Sequence, residues 1–223
     1  MHLDNSHPIV GELQRLLPEG VVAGGSFSSW LPSPGSLPRT ERAHRLAQVQ
    51  KTATEQCLRD LLDAAGLGNG PVPPREPDGQ RGWPPGYVGS VSHKNTLVLA
   101  TLAKASNLAS IGIDVERIEP SDERLGHILT PEERRPRGFS QLQSLALTFS
   151  AKEAVFKAQF PTTGRTLSFE DVFIHWNDPN GSSIRGVARC GSAHPLEVRC
   201  TLSAKWVVCV ALENAFDFRT SSS

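Results

Sequence analysis

Net charge and long apolar runs are both missing from this 223-residue chain. Its 23 Lys and Arg residues balance 23 Asp and Glu residues, which argues against duplex nucleic acid as the main ligand. No apolar run reaches the roughly 18 residues of a membrane-spanning helix. The first residues, MHLDNSHPIV, lack the basic and apolar regions of a signal peptide. We therefore expect a cytoplasmic protein with neither a membrane nor a nucleic acid as partner.

Cysteine patterns typical of zinc or redox sites are also missing. The four cysteines are Cys57, Cys190, Cys200 and Cys209. They form no C-x-x-C, and no Cys/His spacing resembles a zinc site. Three of them have apolar, strand-like surroundings, so we expect reduced, buried thiols. With 38% hydrophobic and 21% charged residues, the chain has the composition of a folded globular protein.

The hydrophobic pattern predicts helices and strands in an order typical of the α+β class. We expect helices at Ile9–Leu17, at Thr40–Ala65 with Thr40 as its cap, and from Ser140 to Pro161. Predicted strands are Val21–Trp30, Thr96–Ala103, 109–117, Leu167–Trp176, Ser183–Arg189, Leu196–Leu202 and Trp206–Leu212. The consecutive late strands predict antiparallel hairpins. The Pro- and Gly-rich segment Gly66–Gly86 has the length of a functional loop.

Two acidic residues share one face of the strand predicted at 109–117. Ile111, Ile113 and Val115 point one way, whereas Asp114 and Glu116 point the other. Carboxylates at i and i+2 lie about 6.5 Å apart along a strand and can converge on one cation. The polar outer face of an edge strand explains the same pattern, so the residues alone leave both interpretations open.

A third carboxylate belongs to the helix that follows Ser140. Ser140 and Gln143 fit a capping box. At about 100° per residue, an apolar side contains Glu153, with Lys157 at its edge; the apolar members are Leu142, Leu145, Phe149, Phe156 and Phe160. A carboxylate on an apolar face is costly unless compensated. The Lys157 ion pair, a packing face rotated from this prediction, or a metal ion would each resolve the conflict.

Three motifs together resemble one family. They are G-S-V-S-H-K at 89–94, G-I-D-V-E at 112–116 and F-S-A-K-E-A-V-F-K at 149–157. In this order they resemble the 4'-phosphopantetheinyl transferases, in particular the monomeric type that serves siderophore and other nonribosomal peptide synthetases. The resemblance implies transfer of the phosphopantetheine arm of coenzyme A to a serine of an apo acyl or peptidyl carrier protein. Adenosine 3',5'-bisphosphate would be the second product.

The resemblance also implies an architecture. Two similar halves would be related by a pseudo-twofold axis, each a small, mainly antiparallel sheet packed with a long helix. We place the first half, on the side of the coenzyme A 3'-phosphate, at 1–108. The second, with the metal and the catalytic helix, would span 109–223.

By the same resemblance, three carboxylates form a metal site and one helix supplies the catalytic groups. The expected ligands of Mg²⁺, or of Mn²⁺, are Asp114, Glu116 and Glu153. A hard cation takes oxygen ligands and can neutralise charge on a diphosphate. Glu153, or a bound water, would accept the serine proton. Lys157 would contact the transferred or leaving phosphate and hold Glu153 ionised.

The resemblance assigns several residues to coenzyme A, with two departures. Ser92 and His93 match positions that touch the phosphates. Further candidates, for the 3'-phosphate, are Lys51, Lys94, Arg75 and Arg81. Glu55 stands where relatives often carry a second basic residue, and Gly79 stands where an Arg usually precedes W-P-x-G. These departures leave the 3'-phosphate contacts open.

The carrier and the reaction class have alternatives. Arg134, Arg135 and Arg137 form the tightest Arg cluster in the sequence, which suits an acidic carrier but also an ordinary solvated turn. A Mg²⁺-dependent hydrolase of nucleotide diphosphates would use the same carboxylates with water as acceptor. A binding module without activity is the third possibility.

Overall fold

The computed structural model describes residues 7–28, 38–68, 70–119, 129–130, 133, 138–178, 184–190 and 194–215. Three α-helices occur in the described part: α1 (Pro8–Leu16), α2 (Arg39–Ala64) and α3 (Gln141–Thr163). The described strands are β1 (Val22–Phe27), β2 (Tyr87–Lys94), β3 (Leu97–Lys104), β4 (Leu108–Arg117), β5 (Phe173–Asp178), β6 (Ile184–Arg189), β7 (Leu196–Leu202) and β8 (Trp206–Asn214).

A three-stranded antiparallel sheet and α2 form the first layer pair. The strand order is β1-β3-β2. The buried face of α2, including Cys57 and Leu61, packs against Val98 and Leu102 of β3. The predicted helix is confirmed, but Thr40 is not its cap. Pro38 occupies that position, and because a proline side chain has no hydrogen-bond acceptor, no side chain caps the helix.

A five-stranded antiparallel sheet and α3 form the second layer pair. Its order is β4-β8-β7-β6-β5, which confirms the α+β class, the late hairpins and a two-halved organisation. The predicted strand Leu167–Trp176 starts too early. Residues Phe169–Asp171 form a 3₁₀ turn, closed by reciprocal hydrogen bonds between Ser168 and Asp171.

Strand β2 was not expected, and it joins the two sheets. Its buried positions carry Ser90 and Ser92 rather than apolar residues, so the usual alternation is inverted. The Ser90 hydroxyl accepts from the Ile113 N–H at 3.0 Å, and the Ser92 hydroxyl from the Val115 N–H at 3.3 Å. Side-chain hydroxyls thus satisfy the free edge of β4.

One hydrophobic cluster crosses between the halves. Leu13 of α1 and Leu99 of β3 share it with Ile113 of β4 and Val210 of β8. The predicted division between residues 108 and 109 stays a prediction; β4 itself begins at Leu108. The four cysteines are buried and form no disulfide bond, as expected. No helix in the described ranges is long and apolar enough to cross a bilayer.

Candidate active site

The catalytic helix of the sequence prediction begins where expected and ends later. The Gln143 N–H donates to Ser140 Oγ at 3.3 Å, and the Ser140 N–H donates to Gln143 Oε1 at 2.9 Å, which confirms the capping box. Pro161 does not stop α3, which runs to Thr163. The end is set by Gly164, whose φ of 63° is the left-handed conformation that glycine favours, and whose N–H donates to Phe160 O at 2.8 Å.

The packing face of α3 is rotated from the predicted one. The positions of α3 that face β4 include the small, buried residues Ala151, Ala154 and Ala158, whereas Glu153 is only partly buried. Small residues are needed because α3 lies directly on β4. A Cβ at Gly112 would sit 2.0 Å from Ala154 O. The predicted stripe of Leu142, Leu145, Phe149, Phe156 and Phe160 is therefore wrong, and only Leu145 in it is fully buried.

All three sequence motifs meet at Asp114. Lys157 Nζ donates to Asp114 Oδ1 at 2.8 Å, to the Ile113 carbonyl at 3.0 Å and to Ser92 Oγ at 3.2 Å. Ser92 Oγ donates to the same carboxylate oxygen at 2.9 Å. Asp114 is only 4% exposed. Strand β2, strand β4 and helix α3 thus each supply one polar group to a single buried junction.

Asp114 and Glu153 form a pair of interacting carboxylates. Burial raises the pKa of Glu153, the negative charge of Asp114 raises it further, and Lys157 opposes both. Asp114 Oδ2 is buried and has no hydrogen-bond partner among the described residues. Two mutually repelling oxygen ligands, one of them unsatisfied, fit a hard divalent cation.

Glu116, the third expected metal ligand, forms an ion pair with Lys94. Lys94 was expected to contact coenzyme A, and the structure instead directs its ammonium group to this carboxylate. Within the described residues, no group of three or more His, Cys, Asp or Glu side chains is arranged to hold a metal. The three-carboxylate ligand set and the coenzyme A contact of Lys94 stay predictions.

A cleft of about 1450 Å³ opens beside this junction. Its walls come from α2, the segment 70–83, β2 and the C-terminal end of α3. Most of the basic residues predicted for coenzyme A line it, namely Lys51, Arg75, Arg81, His93 and Lys157. The sequence prediction missed Arg59 and Arg165, which also line it. Arg59 lies eight residues after Lys51 on one helix, a spacing that places both on the same face.

Positive groups crowd one another in this cleft. Burial and the neighbouring Lys157 and Arg75 lower the pKa of His93. Burial, and then the positive charge of Arg75, lower the pKa of Arg81, which Glu55 opposes. Arg75 and Arg81 face each other across a short antiparallel bridge. Such a concentration of positive charge with few anions favours an anionic ligand.

The backbone explains one of the two departures. Gly79 has φ 89°, a left-handed conformation that residues other than glycine rarely adopt. Its N–H donates to the Glu76 carbonyl at 2.9 Å within the turn. The basic side chain is supplied instead by Arg81, whose Nη1 donates to the Pro73 carbonyl at 2.9 Å.

A buried ion pair behind Glu153 is a second feature that the sequence did not reveal. Lys152 Nζ lies 3.0 Å from Glu133 Oε2, both side chains being almost completely buried. Lys152 also donates to the Phe169 carbonyl at 2.9 Å. The pair ties the chain after β4 to α3, next to Glu153. The Arg cluster of Arg134, Arg135 and Arg137 lies outside the described residues.

Comparison with known proteins points to one family. The sequence profile of the 4'-phosphopantetheinyl transferase superfamily matches residues 110–211. The chain is 36% identical to 4'-phosphopantetheinyl transferase Svp of Streptomyces mobaraensis, over 72% of this chain and 70% of that protein. It is 34% identical to 4'-phosphopantetheinyl transferase PptT of Mycobacterium tuberculosis, over 78% of this chain and 83% of that protein. Enterobactin synthase component D of Escherichia coli is 35% identical over 43% of this chain and 47% of its own length.

Proposed function

The chain belongs to the 4'-phosphopantetheinyl transferase superfamily, and we propose from this premise that it transfers the 4'-phosphopantetheine arm of coenzyme A to a carrier-protein serine. The observation that carries the proposal is the junction of Ser92, Asp114 and Lys157 beside a cleft lined with positive charge. A cleft of this kind suits a long ligand with several phosphates.

The reaction breaks a phosphoanhydride bond of coenzyme A and forms a phosphodiester bond to the carrier. The serine oxygen of the carrier bonds to the phosphorus nearest the pantetheine. The bond from that phosphorus to the bridging oxygen of the diphosphate breaks, and adenosine 3',5'-bisphosphate leaves. The serine proton passes to Glu153 or to a water beside it. Glu153 is partly buried beside Asp114 and Lys157, and a carboxylate is a side chain that can serve as a general base.

Lys157 has the position of a phosphate ligand. Its side chain is 31% exposed, so it borders the cleft while its ammonium group is held by Asp114 and the Ile113 carbonyl. A cation fixed in this way is already oriented for a phosphate oxygen and needs little rearrangement during the reaction. His93 of β2 also lines the cleft and adds a hydrogen-bond donor.

Asp114 and Glu153 are the residues we assign to Mg²⁺, with Mn²⁺ as an alternative. Glu116 would join them on leaving Lys94. The buried, unpartnered Oδ2 of Asp114 supports the assignment. Such an ion, when bound, neutralises the charge that develops on a leaving phosphate.

The partner we propose is an apo carrier protein of nonribosomal peptide, siderophore or polyketide synthesis. The word enterobactin in the name of one relative supports the siderophore class. We place carrier docking at the Arg134, Arg135 and Arg137 segment; reversing these charges should raise KM for carrier without changing KM for coenzyme A. We also propose that the protein is a monomer in the cytoplasm; the buried cysteines, which form no disulfide bond, support a reducing compartment.

Product release with and without carrier tests the function against the hydrolase alternative. The protein is incubated with coenzyme A and Mg²⁺, and adenosine 3',5'-bisphosphate is quantified by chromatography. Transfer predicts release only when apo carrier is present, in equal amount to the modified carrier. Release without carrier would contradict transfer and indicate hydrolysis.

A further inference from the structure

An acidic side chain interrupts the positive wall of the cleft. Helix α2 presents Lys51, Glu55 and Arg59 one turn apart, and all three line the cleft. Glu55 is partly buried, whereas its two neighbours are exposed. The spacing places the carboxylate between two cations on one face.

The carboxylate also acts on the wall formed by the segment 70–83. Arg81 is fixed there by its hydrogen bond to the Pro73 carbonyl, with Arg75 beside it. Glu55 stabilises the positive form of Arg81, against burial and the repulsion from Arg75. Glu55 therefore offsets part of the positive potential on both walls of this end of the cleft.

Coenzyme A presents anions at two separate places, the diphosphate and the 3'-phosphate. Lys157 and His93 lie near the catalytic junction and suit the diphosphate. Apart from Arg165, which follows the end of α3, the remaining cations of the cleft are Lys51, Arg59, Arg75 and Arg81. We assign these four, which lie around Glu55, to the 3'-phosphate. A carboxylate among them repels a phosphate and competes with it for the same cations.

We propose that Glu55 is a specificity-determining residue that weakens recognition of the 3'-phosphate, so that the protein discriminates little between coenzyme A and 3'-dephospho-coenzyme A. This inference rests on the proposed function, since it takes coenzyme A as the ligand of the cleft. Removing the charge of Glu55 restores the discrimination by strengthening binding of the 3'-phosphate alone.

The direct test compares two nucleotides that differ only in that phosphate. Calorimetry measures Kd for adenosine 3',5'-bisphosphate and for adenosine 5'-monophosphate with the wild type, Glu55→Gln and Glu55→Ala. We expect either variant to bind the bisphosphate about three- to tenfold more tightly and the monophosphate within about twofold of the wild type. Asp63→Asn is the matched control, because it removes an equal charge from an exposed position of α2 and should change neither Kd.

The outcomes separate the two proposals. Equal tightening for both nucleotides, or none for the bisphosphate, overturns the role of Glu55 and leaves the transferase assignment intact. Failure of the wild type to bind either nucleotide overturns the proposed ligand of the cleft as well. A parallel measurement of KM should show the ratio between dephospho-coenzyme A and coenzyme A rising about three- to tenfold in Glu55→Gln.

Discussion

Replacing Gly112 by alanine should separate the two halves of the catalytic junction. The new Cβ would lie 2.0 Å from the Ala154 carbonyl oxygen and 2.6 Å from the Ala158 nitrogen. Both are backbone atoms of α3, so no side chain can rotate away. Restoring the closest tolerable contact requires α3 to move from β4 by about 1 Å. That movement carries Lys157 and Glu153 away from Asp114.

The expected cost falls on both stability and rate. Overpacking of a close contact costs roughly 1–3 kcal/mol, and a misplacement of about 1 Å in a catalytic site can lower the rate about 100-fold. Thermal unfolding measures the first effect, and kcat for carrier modification, measured well below the melting temperature, measures the second.

Gly11→Ala is the matched control. Gly11 lies in α1, and nothing stands within 4 Å of a Cβ built there. Alanine should therefore raise stability by roughly 0.5–1 kcal/mol and leave kcat unchanged. If Gly112→Ala kept wild-type kcat and melting temperature, α3 would not rest on β4 as described, and the reasoning from close packing to rate would be wrong.

Three further predictions concern groups outside the junction. Lys152→Met should lower the free energy of unfolding by about 3–5 kcal/mol, because it leaves the Glu133 charge buried and unpaired; denaturant titration should show a smaller loss for the double variant with Glu133→Gln. The pKa of His93 is lowered in the folded protein from 6.5, so its contribution to stability is complete above about pH 6.5 and is lost as the pH falls. Urea titrations near pH 7 and pH 5 should show that the free energy of unfolding falls less on acidification in His93→Gln than in the wild type. An equal decrease in both proteins would contradict this. Burial raises the pKa of Cys57 to about 12, so it and the other buried cysteines should react with a thiol reagent only after unfolding; rapid reaction of the native protein would refute that burial.

Local signals in the sequence were sufficient for most of the elements. Strand β7 has the predicted bounds, Leu196–Leu202, and the capping box at Ser140 is present. These features depend on neighbouring residues alone. The late strands alternate regularly and are separated by clear turns, so their antiparallel order also followed from the sequence.

Features that depend on contacts distant in sequence were missed. The orientation of α3 was wrong because large aromatic residues were assigned to the core, whereas the approach to Gly112 admits only small ones. Phe156 packs instead against the ring of Phe169, at 5.1 Å between centroids. Strand β2 was missed because its buried serines bond to a neighbouring strand.

In the site, too, the sequence predicted the residues of the motifs but not the contacts between residues distant along the chain. The motifs identified Ser92, Asp114 and Lys157, which the structure brings together. They did not reveal that Lys94 pairs with Glu116, nor that Lys152 pairs with Glu133. Both are ion pairs between residues far apart along the chain, and residue spacing contains no information about such pairs.

The mass of an apo carrier protein after incubation with coenzyme A and Mg²⁺ tests the central claim most directly. The wild type should add one phosphopantetheine arm to the carrier serine. Glu153→Gln, which is nearly isosteric, should add none while keeping the circular dichroism spectrum and melting behaviour of a folded protein. A carrier that stays unmodified with the wild type, or that Glu153→Gln modifies at a near-normal rate, would contradict the account.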